Sequence, residues 1–335
     1  METVRAGGRK YSDPDVLALI RAGGGLADPR SLVLNQATRL VEKYRVFEHS
    51  RVTPRERLVH LASMVGLTIV PMSLERRKDE SRDAVLIPKV SGGGGKGQVF
   101  FNPDRPDGRV NFTIAHEIVH TFFPVTAGGA RFREMNEPDS REARELENLC
   151  DLAAAELLMP ADDFRREIRG NWSLSQVARL SERFGGSFEA TAFRLATAHP
   201  DIAAAGLLRF RYKVGEQRAI EAEALQGKQG TLFGGSKAKK SGTAERKYRR
   251  QSFHISDSFP DDWIVRWNKS FEKSSVVYSA GQTEDLLRGQ EGLPSASHVG
   301  GTLEVQRAPY QRENANTEHP DLIFFWVFSP HLRQN

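Results

Sequence analysis

Residues 111–120 read Asn-Phe-Thr-Ile-Ala-His-Glu-Ile-Val-His, and the spacing inside this run decides how the rest of the chain is read. His116 and His120 are four residues apart, so on a helix their rings leave one face a turn apart and can converge on a single metal ion. Glu117 lies beside them, placed to act as general base toward a metal-activated water without being a ligand itself. Ile114, Ile118 and Phe122, with Val119, supply an apolar stripe that would hold such a helix in a core. At the His and Glu content of this chain, chance yields on the order of 0.02 matches to the pattern, so coincidence is a poor account of it.

A hydrolytic metal site needs a third protein ligand and an open position. The metzincin pattern would place glycine at 123 and histidine at 126; the chain has Phe123 and Thr126, which excludes that branch. A carboxylate from a following helix is the common alternative. The segment 140–158 offers Glu142, Glu145, Glu147 and Glu156. Glu147 is the best placed, because Asp151 follows one turn later and could accept the free ring N–H of a metal-bound histidine, fixing its tautomer. The other three read as solvated helix-face residues. Cys150 is the single cysteine of the chain; it can form no internal disulfide and reads as a small packed residue.

The chain has 335 residues, 39% of them hydrophobic, enough for about two domains with buried cores. No signal-peptide pattern opens it and no apolar run approaches bilayer length, so the expectation is a cytoplasmic protein with no membrane partner. Of the net charge of +5, the window 237–250 alone supplies +6, with seven Lys/Arg against one Glu, leaving the remainder at −1. Basic character therefore belongs to one segment.

Outward from residues 111–120, Leu32 to Phe47 and Pro54 to Val65 show helical periodicity, and Leu67 to Pro71, Ala84 to Pro88 and Gln98 to Asn102 read as a small sheet. The metal-binding helix spans about Asn111 to Phe123 and stops at Pro124. A second long helix starts near Asp139 or Ser140, where Asp139 and Glu142 have capping-box spacing, and ends at Met159-Pro160. Ser173 to Leu195 reads as two helices broken at Gly185-Gly186. Beyond Pro200 the expected strands are Leu207 to Val214, Trp263 to Trp267, Val276 to Ser279 and Leu322 to Phe328. The expected organisation is a flexible N-terminus (1–31), a metallopeptidase domain (32–165), a helix-turn-helix-like element (166–200) and a β-rich regulatory or partner-binding domain (201–335) with a basic loop at 234–250.

The run ending at His120, followed by Glu147-Asn-Leu-Cys-Asp-Leu-Ala-Ala-Ala-Glu-Leu-Leu-Met-Pro160 and by Leu180 to Leu195, resembles the ImmA/IrrE family of metallopeptidases over roughly Leu32 to His199. The resemblance implies an α+β fold with a zincin-like helical core. It also implies Zn2+ held by His116, His120 and Glu147, with Glu117 as base. Family members typically cleave a helix-turn-helix transcriptional repressor, derepressing stress, mobile-element or defence genes. The chain departs from the pattern at Ala153, where many members carry an aromatic residue, a change expected to adjust packing.

A competing reading is a DNA-binding regulator that keeps the fold and acts by binding. The second helix of the 173–195 pair has Arg194 as its single basic residue, which equips it poorly for phosphate contacts. The basic window could instead engage single-stranded DNA as an activator, with Lys239, Lys240, Arg249 and Arg250 as contacts; its bland counterpart is a solvated loop.

Overall fold

In the computed structural model the described residues are 3–25, 27–45, 52–72, 84–88, 97–124, 141–229, 244–260, 263, 269–294, 296–309 and 318–328. They form an α+β protein of two compact units, one made of 1–168 with 178–191 and the other of 169–177 with 192–335. The segment 166–200, expected as one element, thus contributes to both. Among the described residues no helix is long and apolar enough to cross a membrane.

Regular structure begins well before Leu32. Strands β1 (Val4–Ala6) and β2 (Arg9–Tyr11) pair antiparallel, and helix α1 (Pro14–Ala22) follows, capped by Asp13, whose carboxylate accepts the Asp15 and Val16 N–H groups. The expected flexible start is corrected here: Val16, Leu17, Leu19 and Ile20 are buried. The Ser12 and Asp13 N–H groups donate to the Glu145 carboxylate at 2.8 and 3.2 Å. A short apolar patch among glycines suffices because a carboxylate distant in sequence anchors the cap.

Helix α2 (Pro29–Arg45) and helix α3 (Pro54–Met64) coincide closely with the periodic segments. Thr53 and Glu56 close a reciprocal capping box at the start of α3. Strands β3 (Leu67–Pro71), β4 (Ala84–Pro88) and β5 (Gly97–Phe101) form the small sheet in the order β3-β5-β4, with β3 parallel and β4 antiparallel to β5. Helix α4 (Asp107–Val119) runs into a 3-10 turn at His120–Phe122 and packs on helix α5 (Arg141–Leu158). Asp139, the expected cap of α5, lies outside the described residues. Helix α6 (Ala161–Glu167) begins directly after Pro160.

Helices α7 (Val177–Phe184) and α8 (Phe188–Thr197) are the helix-turn-helix-like pair. Gly185 has φ +71°, and its carbonyl accepts the Asn111 Nδ2–H at 2.9 Å, which ties the turn to the start of α4. Arg55 Nε donates to the Asn111 Oδ1 and its guanidinium pairs with Asp107 at 2.9 Å, so α3, α4 and the α7–α8 turn meet at one polar node.

The second unit is built on strand β6 (Ala203–Arg211), helix α9 (Val214–Gln229), strands β7 (Lys247–Arg250) and β8 (His254–Ile255), helix α10 (Val276–Ala280) and strands β9 (Leu287–Leu293), β10 (Ala296–Arg307) and β11 (Leu322–Phe328). Its antiparallel sheet has the order β7-β6-β11-β10-β9, with β8 also on β6. Tyr248, Trp326, Phe324, Leu303 and Val305 lie in its core. Val276–Ala280 is a helix rather than the expected strand, because Ser275 caps it by accepting the Val277 N–H and Gly281 follows it. The expected strand at Trp263 to Trp267 falls largely outside the described residues.

Candidate metal centre

The site is assembled by two helices whose apolar faces leave their polar faces turned toward each other. On α4, Ile114, Ala115, Ile118 and Val119 are fully buried, which fixes the rotation of the helix and directs His116 and His120 away from that core. On α5, Leu146, Leu149, Ala153, Ala154, Leu157 and Leu158 are the buried stripe. Ala153, the departure from the family pattern, is fully buried. Glu147 and Asp151, four apart at the edge of that stripe, project toward the histidines.

The two edges of the His116 ring are both occupied by carboxylates. Asp151 Oδ1 lies 2.9 Å from Nδ1 and Glu147 Oε2 lies 3.0 Å from Nε2. The His116 side chain is 15% exposed, against 41% for Glu147 and 55% for Asp151. Burial disfavours a charged imidazole here, but the hydrogen bonds and charges of Asp151 and Glu147 outweigh it and push the His116 pKa up to about 10. The same field that holds a proton on this ring favours any cation in its place. The His120 ring lies 4.9 Å from that of His116, edge to face, and its Nδ1 is 3.5 Å from the Cys150 Sγ.

Among the described residues, His116, His120 and Cys150 bring donor atoms within 4.8 Å of one another, a group able to hold a metal ion. Glu147 is joined to it through His116. Two imidazoles with adjoining carboxylate oxygen and sulfur make a donor set of borderline softness, which suits a first-row divalent ion rather than magnesium or calcium. The residues present therefore fit a transition-metal centre.

The remaining glutamates have other roles. Glu145 anchors residues 12 and 13, and Glu156, only 8% exposed, accepts the Ala161 N–H at the start of α6. Their reading as solvated positions is corrected by these contacts; the Glu142 side chain is outside the description. Glu117 is half-buried beside His116 on α4. Two contributions escaped the sequence reading. One is the Cys150 contact with His120, although its spacing from Glu147 places it on the same helix face. The other is Asn111, the buried first residue of the decisive run, whose partners are remote in sequence.

The candidate nucleic-acid contacts divide differently. Lys239 and Lys240 lie outside the described residues. Arg249 and Arg250 are in β7, so this end of the expected loop is strand. Arg249 is only 2% exposed, with its Nε donating to the Arg211 carbonyl at 3.3 Å. As a phosphate contact Arg249 is therefore corrected: pairing of β7 with β6 and burial at that position remove it from the surface. Arg250 is half-buried, its guanidinium 5.6 Å from the centre of the Phe253 ring. Arg194 of α8 is likewise buried.

No curated protein matches the chain. Among solved structures the chain is similar to one described as a Mycobacterium tuberculosis transcriptional regulator, at 14% identity and a TM-score of 0.48, over 94% of this chain and 81% of that one. Residues 65–196 match the family model of the IrrE N-terminal-like domain, a span that contains α4, α5 and every donor described above. An IrrE/ImmA-like domain, similar to the peptidase M78 family, is thus identified over residues 65–196 of the chain.

Proposed function

We propose that the protein is a zinc-dependent endopeptidase. His116, His120 and Glu147 would hold the ion, Glu117 would serve as general base, and Asp151 would orient His116. The observation that carries this reading is the bracketing of His116 by two carboxylates, at 2.9 Å on Nδ1 and 3.0 Å on Nε2. An ion taking the place of the proton between Nε2 and Glu147 Oε2 would leave the Nδ1–H donating to Asp151 and make Nε2 and the Glu147 oxygen neighbouring donors, the arrangement a histidine ligand requires. Bound zinc supplies Lewis acidity that activates water and polarises a scissile carbonyl. Glu117, adjacent to His116 in sequence, would accept the proton released by the attacking water and return it to the departing amine. Asp151 would keep the ring from turning as that charge moves.

Following the family resemblance, the proposed substrate is a helix-turn-helix transcriptional repressor, cleaved in the cytoplasm to relieve repression. The burial of Arg194 and Arg249 weakens the competing reading as a DNA binder, since it takes two of its candidate cations out of reach. Incubation of the zinc-loaded protein with the repressor encoded beside its gene tests the proposal: one defined cleavage product, absent with Glu117→Gln, is the expected result. An intact repressor in both reactions would count against the substrate, and cleavage by Glu117→Gln at the wild-type rate would sink the mechanism.

A further inference from the structure

Glu147, Cys150 and Asp151 stand at i, i+3 and i+4 of α5, so their side chains share one helix face. Each meets a different edge of the histidine pair. Glu147 Oε2 faces His116 Nε2 at 3.0 Å, Asp151 Oδ1 faces His116 Nδ1 at 2.9 Å, and Cys150 Sγ faces His120 Nδ1 at 3.5 Å. Asp151 and Cys150 therefore address the same ring position, Nδ1, on the two histidines. A histidine that ligates through Nε2 must carry its proton on Nδ1 and donate it to something. At His116 that acceptor is a carboxylate; at His120 the sulfur is the atom in place.

We infer that Cys150 is a positioning residue of the metal centre, its Sγ accepting the His120 Nδ1–H and holding the ring with Nε2 turned to the ion. This rests on the zinc reading above. A further observation points the same way: Cys150 is fully buried, so its sulfur is held in one place rather than sampling solvent. Its donor atom also lies within 4.8 Å of those of His116 and His120, a spacing that equally permits ligation by sulfur, and the spectrum of the cobalt-loaded protein separates the two roles. A neutral sulfur is a weaker acceptor than a carboxylate. The two histidines are consequently unequal ligands: Asp151 enriches the His116 ring in electron density, Cys150 enriches the His120 ring less, and His120 is the ligand that releases first when metal is limiting.

The test is zinc affinity by competition with a chromophoric chelator, for wild type, Cys150→Ala and Cys150→Ser, with thermal unfolding of each chelator-stripped protein measured alongside. Cys150→Ala should bind zinc about tenfold more weakly, the lower end of the loss typical when the outer partner of a histidine ligand is removed. Cys150→Ser, whose hydroxyl can accept the same N–H, should recover most of that loss, and unfolding of the stripped proteins separates this effect from the stability lost by changing a buried side chain. An alanine variant with wild-type affinity, or a serine variant as weak as alanine, would overturn the inference. Two readouts need no variant. Cobalt-loaded wild type should lack the near-ultraviolet thiolate-to-cobalt charge-transfer band; its presence would make Cys150 a ligand and refute the positioning role. Ring-nitrogen NMR of the zinc-loaded protein should find His120 protonated at Nδ1, and protonation at Nε2 would refute it equally. A wild-type protein that binds neither metal sinks the zinc reading itself, an outcome distinct from metal bound indifferently to Cys150.

Discussion

At the residue scale, base and ligand are separable because they differ in what they must touch. On the proposed mechanism Glu117 has to reach a proton, whereas Glu147 has to reach the ion. Glu117→Gln should therefore keep close to one zinc per chain by metal analysis while cleavage falls by about 100-fold or more. Glu147→Ala should lower both, and His120→Ala should lose most of the metal, since two remaining ligands rarely hold zinc against water. A glutamine variant that loses its metal would show that Glu117 is a ligand and the assignment is inverted. A second residue carries a pH signature. His254 stacks on Phe193 with ring centroids 4.0 Å apart, and burial pushes its pKa down to about 4. An unfolded histidine titrates near 6.5. Between these values the unfolded chain binds a proton that the folded chain refuses, so stability falls as pH drops from about 6.5 toward 4 and is constant above that window. Because the residue is only partly buried, the loss is at most on the order of 3 kcal/mol. His254→Phe, which keeps the stacked ring and cannot protonate, should flatten this acid limb in denaturant titrations followed by tryptophan fluorescence. An unchanged limb would place the acid sensitivity elsewhere.

At the element scale, what was legible in the sequence follows from how locally each element is determined. The helices α2 and α3 and strands β3, β4 and β5 could be read to within a few residues, because apolar periodicity sets them and Pro54, Pro71 and Pro88 delimit them. The second unit was harder. The strands β9 and β10 carry Gly289, Gly292, Gly300 and Gly301, which look like breaks in a sequence. In the sheet a Cβ on Gly301 would come within 2.1 Å of the Val327 carbonyl oxygen, so the glycine is there because β11 approaches too closely for any side chain. That requirement is set by a strand more than twenty residues away and leaves no local mark. Gly185 is the opposite case, a visible break with a visible reason. Its φ of +71° favours glycine, and a Cβ would lie 2.5 Å from Pro54 Cβ and 2.7 Å from Asn111 Nδ2. Gly185→Ala should cost about 1–3 kcal/mol from the left-handed backbone alone, with further loss as Asn111 is pushed off the node that seats α4. The measurement is the denaturant midpoint together with zinc affinity; a variant as stable as wild type would mean the turn can reshape without moving α4.

At the scale of the whole molecule, the candidate centre was legible because both of its halves are helical motifs with fixed spacing, His116 to His120 on α4 and Glu147 to Asp151 on α5. The charge distribution was legible only as a composition. A window of +6 at 237–250 reads as a uniform basic loop, yet β7 claims its last four residues and withdraws Arg249 into the sheet. The four cations first considered as one patch therefore cannot be equivalent. Any affinity for single-stranded DNA should reside in Lys239 and Lys240, on the side of the window away from β7. Arg249→Ala should instead act on stability, because it removes the side chain that donates to the Arg211 carbonyl within the β6–β7 pair. Phosphate contacts release counterions, so binding through the lysines should weaken steeply with salt and show little sequence preference. In an anisotropy titration at low salt, Lys239→Ala with Lys240→Ala should abolish binding while thermal unfolding and zinc content stay unchanged. Arg249→Ala should lower the unfolding temperature and leave the binding curve of the folded protein in place. If the intact protein binds no single-stranded DNA, or the double lysine variant binds as well as wild type, Lys239 and Lys240 make no nucleic-acid contact and their charge serves solubility.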